Sequence, residues 1–537
     1  MSGKRLASER DAGGTLARRV TRRVSLGWIL ALLVLPTFLG VTPAAGSDEF
    51  GRIREKAAEM ASAVQGNYYD TFGEGKDSGL SRTYGDYGYL LTPKKIEDVR
   101  KLLEEATTPE ERALRERTLS LLTLHSLHSM SAPLIDNARD AMRDNVVRVE
   151  DDRIVLRGLD FAISLAEDQD TRRKWSLAAS QLYTGTNVYL LNMLVDLDRH
   201  AKELGLEGYY SFLRSAEGWD IDLLTAATES LLVSTDSTYS AGLDKWSQHE
   251  LGLEARRVRT YDAVRLMMLP ALKAKMSWGD PLDVAKQTFK DLGFNLDDQR
   301  TMRIDVKARP GQRPGAFAYQ LAVGKCRVSA TPHEYPSLLP ELLGALGEAQ
   351  FYQNMPGDLA FENAFFGNSI LPNVYRALFE SIAEEPAWIG QHLKLNGVTA
   401  EEVAEAFRFR RLLKMREAAG NQLFQLELHK NFQIDPAKYN EIMERALLWK
   451  RVENDKDAYL VYNDDYQSGG YVLGAILAAQ IRDALRAEWG AEWFRNPELG
   501  KRLTAMARQG YGFSLNDLLS YWSLDGVKVQ ALLARAE

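Results

Sequence analysis

Residue types and spacing come closest to chemistry in Tyr335-Pro336-Ser337-Leu338-Leu339-Pro340-Glu341-Leu342-Leu343-Gly344, which continues through Ala345-Leu346-Gly347 to Glu348. From Leu338 onward the pattern reads as a helix, and residues four apart on a helix share a face. The order of β edge, loop and glutamate-bearing helix invites comparison with H-E-x-x-H helices, where two histidines so spaced hold zinc, with a carboxylate from a later helix as third ligand and one position left for water. The metal would lower that water's pKa from about 15.7 to about 7, and a glutamate at 341 would take its proton. Here the helix carries Glu341, but its neighbours at the corresponding spacing, Pro340 and Gly344, have no side-chain donor atom. His333-Glu334 runs into Tyr335-Pro336-Ser337, and no H-E-x-x-H occurs anywhere in the chain. Without a metal, Glu341 faces a mismatch of about ten pKa units against water, while general-base catalysis contributes only about 10²–10⁴-fold.

The other candidates have plain readings beside the chemical ones. His125 and His128 share a leucine-rich helical face with no third ligand in view, which favours core histidines over metal ligands. Cys326 lies in a strand-like run as a small core residue. Tyr68-Tyr69, Tyr209-Tyr210, Tyr462, Tyr466 and Tyr471 either line a channel or fill the core. Arg408, Arg410 and Arg411 read as the solvated face of a helix.

The elements that must position these residues are helices. Thr108 before Pro109, Glu110 and Glu111 is a helix start, as is Asp435-Pro436. Thr399 with Glu402 and Ser514 with Asp517 are capping-box pairs, and Gly420 is expected to close the helix that Thr399 opens. The exception is 302–331, where RIDV, FAYQLAV and KCRVSA carry β-formers and RPGQRPG supplies turns. The expected fold is mainly α, a large helical body with a central channel and one small β-sheet. An edge of that sheet could add an extended peptide as a further strand.

The stretches PGAFAYQLAVGKCRVSA, YPSLLPELLGAL and FFGNSILPNVYRALFE, with VLGAILAAQIRDALRAEWGAEWFRNPELGKRL and SLNDLL near the end, resemble the thimet oligopeptidase and oligoendopeptidase F family of zinc metallopeptidases. The resemblance covers most of 50–537 and implies a helical, gluzincin-like body around a peptide channel. It places the zinc ligands at Pro340, Gly344 and either Pro372 or Asn373, none of which supplies a suitable donor. It also implies that a β edge runs beside the substrate backbone, here at Ala316, Phe317 and Tyr319, with Tyr466 and Tyr471 as late substrate-facing groups. The family's late histidine has no counterpart, since the last His is His429.

The chain has 537 residues, 45% hydrophobic and 26% charged, with net charge −7 and one Cys, which excludes disorder, a fibre, a disulfide framework and a cysteine zinc site. Its acidity argues against nucleic acid as a partner. In residues 1–23 seven cations face two carboxylates, and Val24–Val41 is apolar before the small residues TPAAGS, the order of an export signal over 1–46. Thr21-Arg22-Arg23-Val24-Ser25-Leu26 resembles a twin-arginine signal. The expectation is a periplasmic or extracellular protein, membrane-anchored only if the signal stays uncleaved. Residues 47–300 form a helical region and 301–537 the peptidase-like region.

Three readings follow. The leading one is a catalytically inactive homologue of the oligopeptidases that binds peptides or a partner protein, needs no cofactor and retains Glu341 only as a former base. The second is an active hydrolase whose zinc is held by His333, Glu334 and Glu341 with Glu362 or Glu380. The third is a structural or assembly factor with a filled channel. The oligomeric state is left open.

Overall fold

Helix-start chemistry begins helices where the spacing predicts them. The computed structural model describes residues 47–451 and 465–533; the export segment and Tyr462 lie outside them. The helices around the site are α1 (Ser47–Tyr68), α2 (Pro109–Asp144), α3 (Gln169–Glu203), α4 (Ile221–Leu251), α5 (Leu338–Gln353), α6 (Ile370–Glu380), α7 (Ala400–Asn431), α8 (Pro436–Leu447) and α9 (Gln467–Trp489). Thr108 caps α2 by accepting from the Glu111 amide, and Asp435 caps α8 through the amides of Ala437 and Lys438. Thr399 and Glu402 form a reciprocal capping box ahead of α7, as Ser514 and Asp517 do for the Leu515–Tyr521 helix.

Gly420 does not end its helix. The α7 helix runs on to Asn431, and a Cβ at Gly420 would lie 2.6 Å from Met443 Sδ and 3.0 Å from Ala446 Cβ. The missing side chain serves the close approach of α8, not a helix stop.

Three sets of strands occur among the described residues, where one was expected. A hairpin joins β1 (Val146–Val149) to β2 (Asp152–Val155), and β3 (Met276–Ser277) pairs with β7 (Lys394–Leu395). The hairpin is hard to read from VVRVEDDRIV because Val147 is its only buried position and charge interrupts the alternation. The expected sheet comprises β4 (Met302–Val306), β5 (Ala316–Ala322) and β6 (Lys325–Ala330), with β6 central, β4 parallel to it and β5 antiparallel.

The register of β5 decides which backbone groups are free. Ala316 opposes Ala330, and the Thr331 amide donates to Gly315 O at 3.0 Å. Hydrogen-bonded pairs alternate in an antiparallel ladder, so Phe317 and Tyr319 bond inward to β6. Ala316, Ala318 and Gln320 turn their N–H and C=O groups to the open edge.

Phe50–Glu537 packs as one unit, and its largest apolar core draws residues from both sides of residue 300. At its centre α6 lies between α5 and α9, with Tyr375, Phe379, Phe351 and Ile476 buried. Among the described residues, no helix is long and apolar enough to cross a membrane.

Candidate functional site

Helix α5 places Pro340, Glu341 and Gly344 as the sequence predicts, with Pro340 and Gly344 on the buried side. The space that a side chain at 344 would need is taken by Glu380 of α6. A Cβ on Gly344 would meet Glu380 Cγ at 2.4 Å and Oε1 at 2.9 Å, and one on Gly347 would meet Phe379 at 2.5 Å. From the other side, a Cβ on Gly474 of α9 would lie 2.6 Å from Asn373 Cβ. Three helices therefore close on one another through glycines around the positions that the resemblance assigns to ligands. Pro372 is buried in α6, and the Asn373 amide donates to Ser369 O at 2.8 Å.

A buried ionic network fills what remains. Glu341 pairs with Arg410, which also donates to Met267 O at 3.0 Å. Glu380 receives Lys414 Nζ at 3.2 Å, Arg376 Nε at 3.4 Å and the Tyr471 hydroxyl at 3.4 Å. Arg376 further donates to Glu348 at 2.8 Å and to the Ala316 carbonyl at 2.7 Å. One turn on, Arg411 holds Glu384 at 2.5 Å. Arg410 and Arg411 are thus buried and paired, and only Arg408 of that trio keeps a partly solvated position. The expectation of a solvated arginine face is corrected because carboxylates from α5 and from the turn after α6 reach across to meet it.

Electrostatics follow from the enclosure. Burial works against ionisation of Glu380, but Lys414, Arg376 and Arg410 outweigh it and hold the carboxyl below its usual range. Burial lowers Lys414, with Glu380 opposing. The Tyr471 hydroxyl is pushed well up by burial and then by Glu380.

The alternative ligands do not converge. His333 accepts from the Tyr335 amide at 3.2 Å and lies beside Phe161, while Glu334 is exposed and paired with Lys273. Glu362 is held by both ends of Arg54, at 2.6 and 2.8 Å, and by Thr118 at 2.8 Å. Among the described residues, no group of three or more His, Cys, Asp or Glu is arranged to hold a metal ion. His125 bonds Tyr84 and His128 bonds Tyr209, each at 2.9 Å, and burial lowers them to about 4 and about 3. They are neutral core-side histidines. Cys326 is buried, and its thiol is pushed up to about 12.

Space lies beside the β5 edge instead. A cavity of about 570 Å³ is lined by Ala318, Tyr319 and Gln320 on one side and by α1 and α2 residues, including Tyr68 and Arg139, on another. A second cavity of about 280 Å³ shares Glu217 and Tyr511 with it. Of the residues expected to touch a peptide, Tyr319 lines the larger cavity, while Ala316, Phe317, Tyr466 and Tyr471 line neither. Phe317 lies between the guanidiniums of Arg313 and Arg376, at 4.2 and 5.7 Å. Tyr466 is buried among Tyr210, Trp219 and His429. Sequence reasoning missed Arg376, Lys414, Arg313 and Arg139; only the turn residues around Arg313 carried a signal.

No protein-family model and no curated protein matches the chain by sequence. Solved structures do match by shape. The chain is similar to PZ peptidase A, solved with an inhibitor, with a TM-score of 0.67 and 14% identity over 93% of this chain and 97% of that one. It is similar to a protein described as an oligoendopeptidase F from Bacillus anthracis, with a TM-score of 0.65 and 12% identity over 93% and 95%. A further oligoendopeptidase F structure gives 0.63 and 14% over 92% of each chain. The chain has the oligoendopeptidase fold. At these identities the likeness concerns the fold alone, which is mainly helical with a small sheet.

The resemblance at 338–380 implies zinc, and the residues present do not fit it. Two of the positions it assigns to ligands, Pro340 and Gly344, lack donor atoms, Glu380 fills the space beside Gly344, and Glu341 and Glu380 are already paired with cations.

Proposed function

We propose that this protein is a non-hydrolytic member of the oligopeptidase fold that binds extended peptide segments, of a free peptide or of a partner protein, along the β5 edge. The observation that supports the reading is the Glu341–Arg410 and Glu380–Lys414–Arg376 pairing at the positions where the resemblance would put a metal centre. A buried carboxylate paired with a guanidinium is a poor base and a poor ligand, because ionising water or gaining a metal would first require breaking the pair. The cavity beside β5 supports binding over a filled, purely structural channel. Residues 1–46 support export of the chain, with action outside the cytoplasm.

The test is direct. Full-length protein is dialysed against zinc, its bound metal is counted by mass spectrometry, and it is incubated with a quenched-fluorescent peptide library. The expected result is substoichiometric zinc and no cleavage above buffer. Stoichiometric zinc with chelator-sensitive cleavage overturns the reading.

A further inference from the structure

The cavity beside β5 has a charge pattern that the peptide reading does not require. Two guanidiniums line it, Arg313 from the turn before β5 and Arg139 from α2. Among the described residues neither has an ion-pair partner, and Nη1 of Arg139 makes no hydrogen bond although it is buried. Arg313 is surrounded by protein, which lowers it from its ordinary value by desolvation, yet its side chain stays open to the cleft. Such a guanidinium remains charged at neutral pH. Two guanidiniums without a carboxylate partner at one cavity wall leave their N–H forks available to an anion.

Both cations are held in position. Arg139 stacks over Tyr68 at 4.5 Å and Phe72 at 5.3 Å, and Arg313 over Phe317 at 4.2 Å. Phe72 also accepts the Arg313 amide at 2.8 Å, so one residue anchors both. Stacking on aromatic faces fixes the planar fork and leaves its N–H groups available. Of the two carboxylates at the wall, one does little to cancel this charge. Glu217, pushed up to about 8 by burial, is largely protonated at neutral pH, and Asp465 accepts from the Tyr209 hydroxyl at 3.0 Å.

The same cavity exposes the free backbone groups of Ala318 and Gln320 at the β5 edge. We propose that it is an acidic-peptide site, in which Ala318 and Gln320 pair with the backbone of an extended segment while Arg313 and Arg139 take its carboxylates. This rests on the peptide-binding reading and adds the chemical class of the guest. Backbone pairing supplies sequence-independent affinity and the two forks select acidic side chains, which alternate along a strand.

Calorimetry on the full chain tests it with three acetylated and amidated hexapeptides, (Glu-Val)3, (Ser-Val)3 and (Lys-Val)3. The acidic peptide is expected to bind at least about tenfold more tightly than the serine one, and the lysine peptide not measurably. Arg313→Gln and Arg139→Gln should each weaken the acidic peptide about tenfold and leave the serine peptide within about twofold. Arg313→Lys should keep the acidic preference, and thermal melts verify that each variant is folded. Methylating alternate amides of (Glu-Val)3 should abolish binding. Equal binding of acidic and serine peptides overturns the acidic selectivity and leaves peptide binding standing. Failure of all three peptides overturns peptide binding itself. Free glutamate binding as tightly as the hexapeptide removes the strand pairing.

Discussion

The centre around Glu380 and the cavity around Arg313 handle buried charge in opposite ways. In the first, every carboxylate from α5 and α6 has a cation, and the helices close on glycines. In the second, the cations lack partners, aromatic rings hold them in place, and about 570 Å³ stays open. One fold thus holds a region whose internal pairs are complete beside one whose cations are left without a carboxylate.

Removing one partner is the strongest way to break the contrast. Glu380→Ala strands Lys414 in the core, while Arg376 keeps Glu348, and should cost about 3–5 kcal/mol in urea denaturation; a loss below about 1 kcal/mol would mean that the network does not hold the centre. Gly344→Ala pushes a methyl group into Glu380 and should cost about 1–3 kcal/mol in the same measurement. Zinc uptake after Pro340→His with Gly344→His should remain absent, since Glu380 still occupies the cradle.

Acidity sharpens the comparison, because the two regions hold carboxylates shifted in opposite directions. Glu380, held low, contributes stability that is present above the ordinary carboxylate range and is lost as pH falls through its depressed value. Glu217, raised to about 8, contributes stability that is present below its ordinary value and is lost as pH rises toward 8. Glu217→Gln keeps an acceptor for Trp219 Nε1 and should raise the melting temperature by about a few degrees at pH 8 and hardly at pH 5. The smallest effect belongs to Arg313→Gln. With no carboxylate left behind, its stability change should stay below about 1 kcal/mol, the scale of its ring contact, even as acidic-peptide affinity falls.

Much of the fold was legible because helix starts and the 302–331 sheet depend on local chemistry. Thr108, Thr399, Asp435 and Ser514 act on amides within three residues of themselves. The donorless positions Pro340 and Gly344 were equally plain. What replaced them was not, since Glu341 and Arg410 are 69 residues apart and Glu380 and Lys414 are 34 apart. Arginines spaced along a helix look alike whether they face water or a carboxylate on a neighbour. Gly420 misled for the same reason, because a glycine that admits a neighbouring helix and one that ends its own are the same letter.

Arg376 touches both regions, and that contact has a consequence for any strand laid along β5. With one nitrogen on Glu348 and another on the Ala316 carbonyl, it occupies the edge group at which a visiting chain would make its next bond. Under the proposed docking, a guest strand would therefore pair as far as Ala318 and meet Arg376 there, so that its alignment would be counted from that guanidinium.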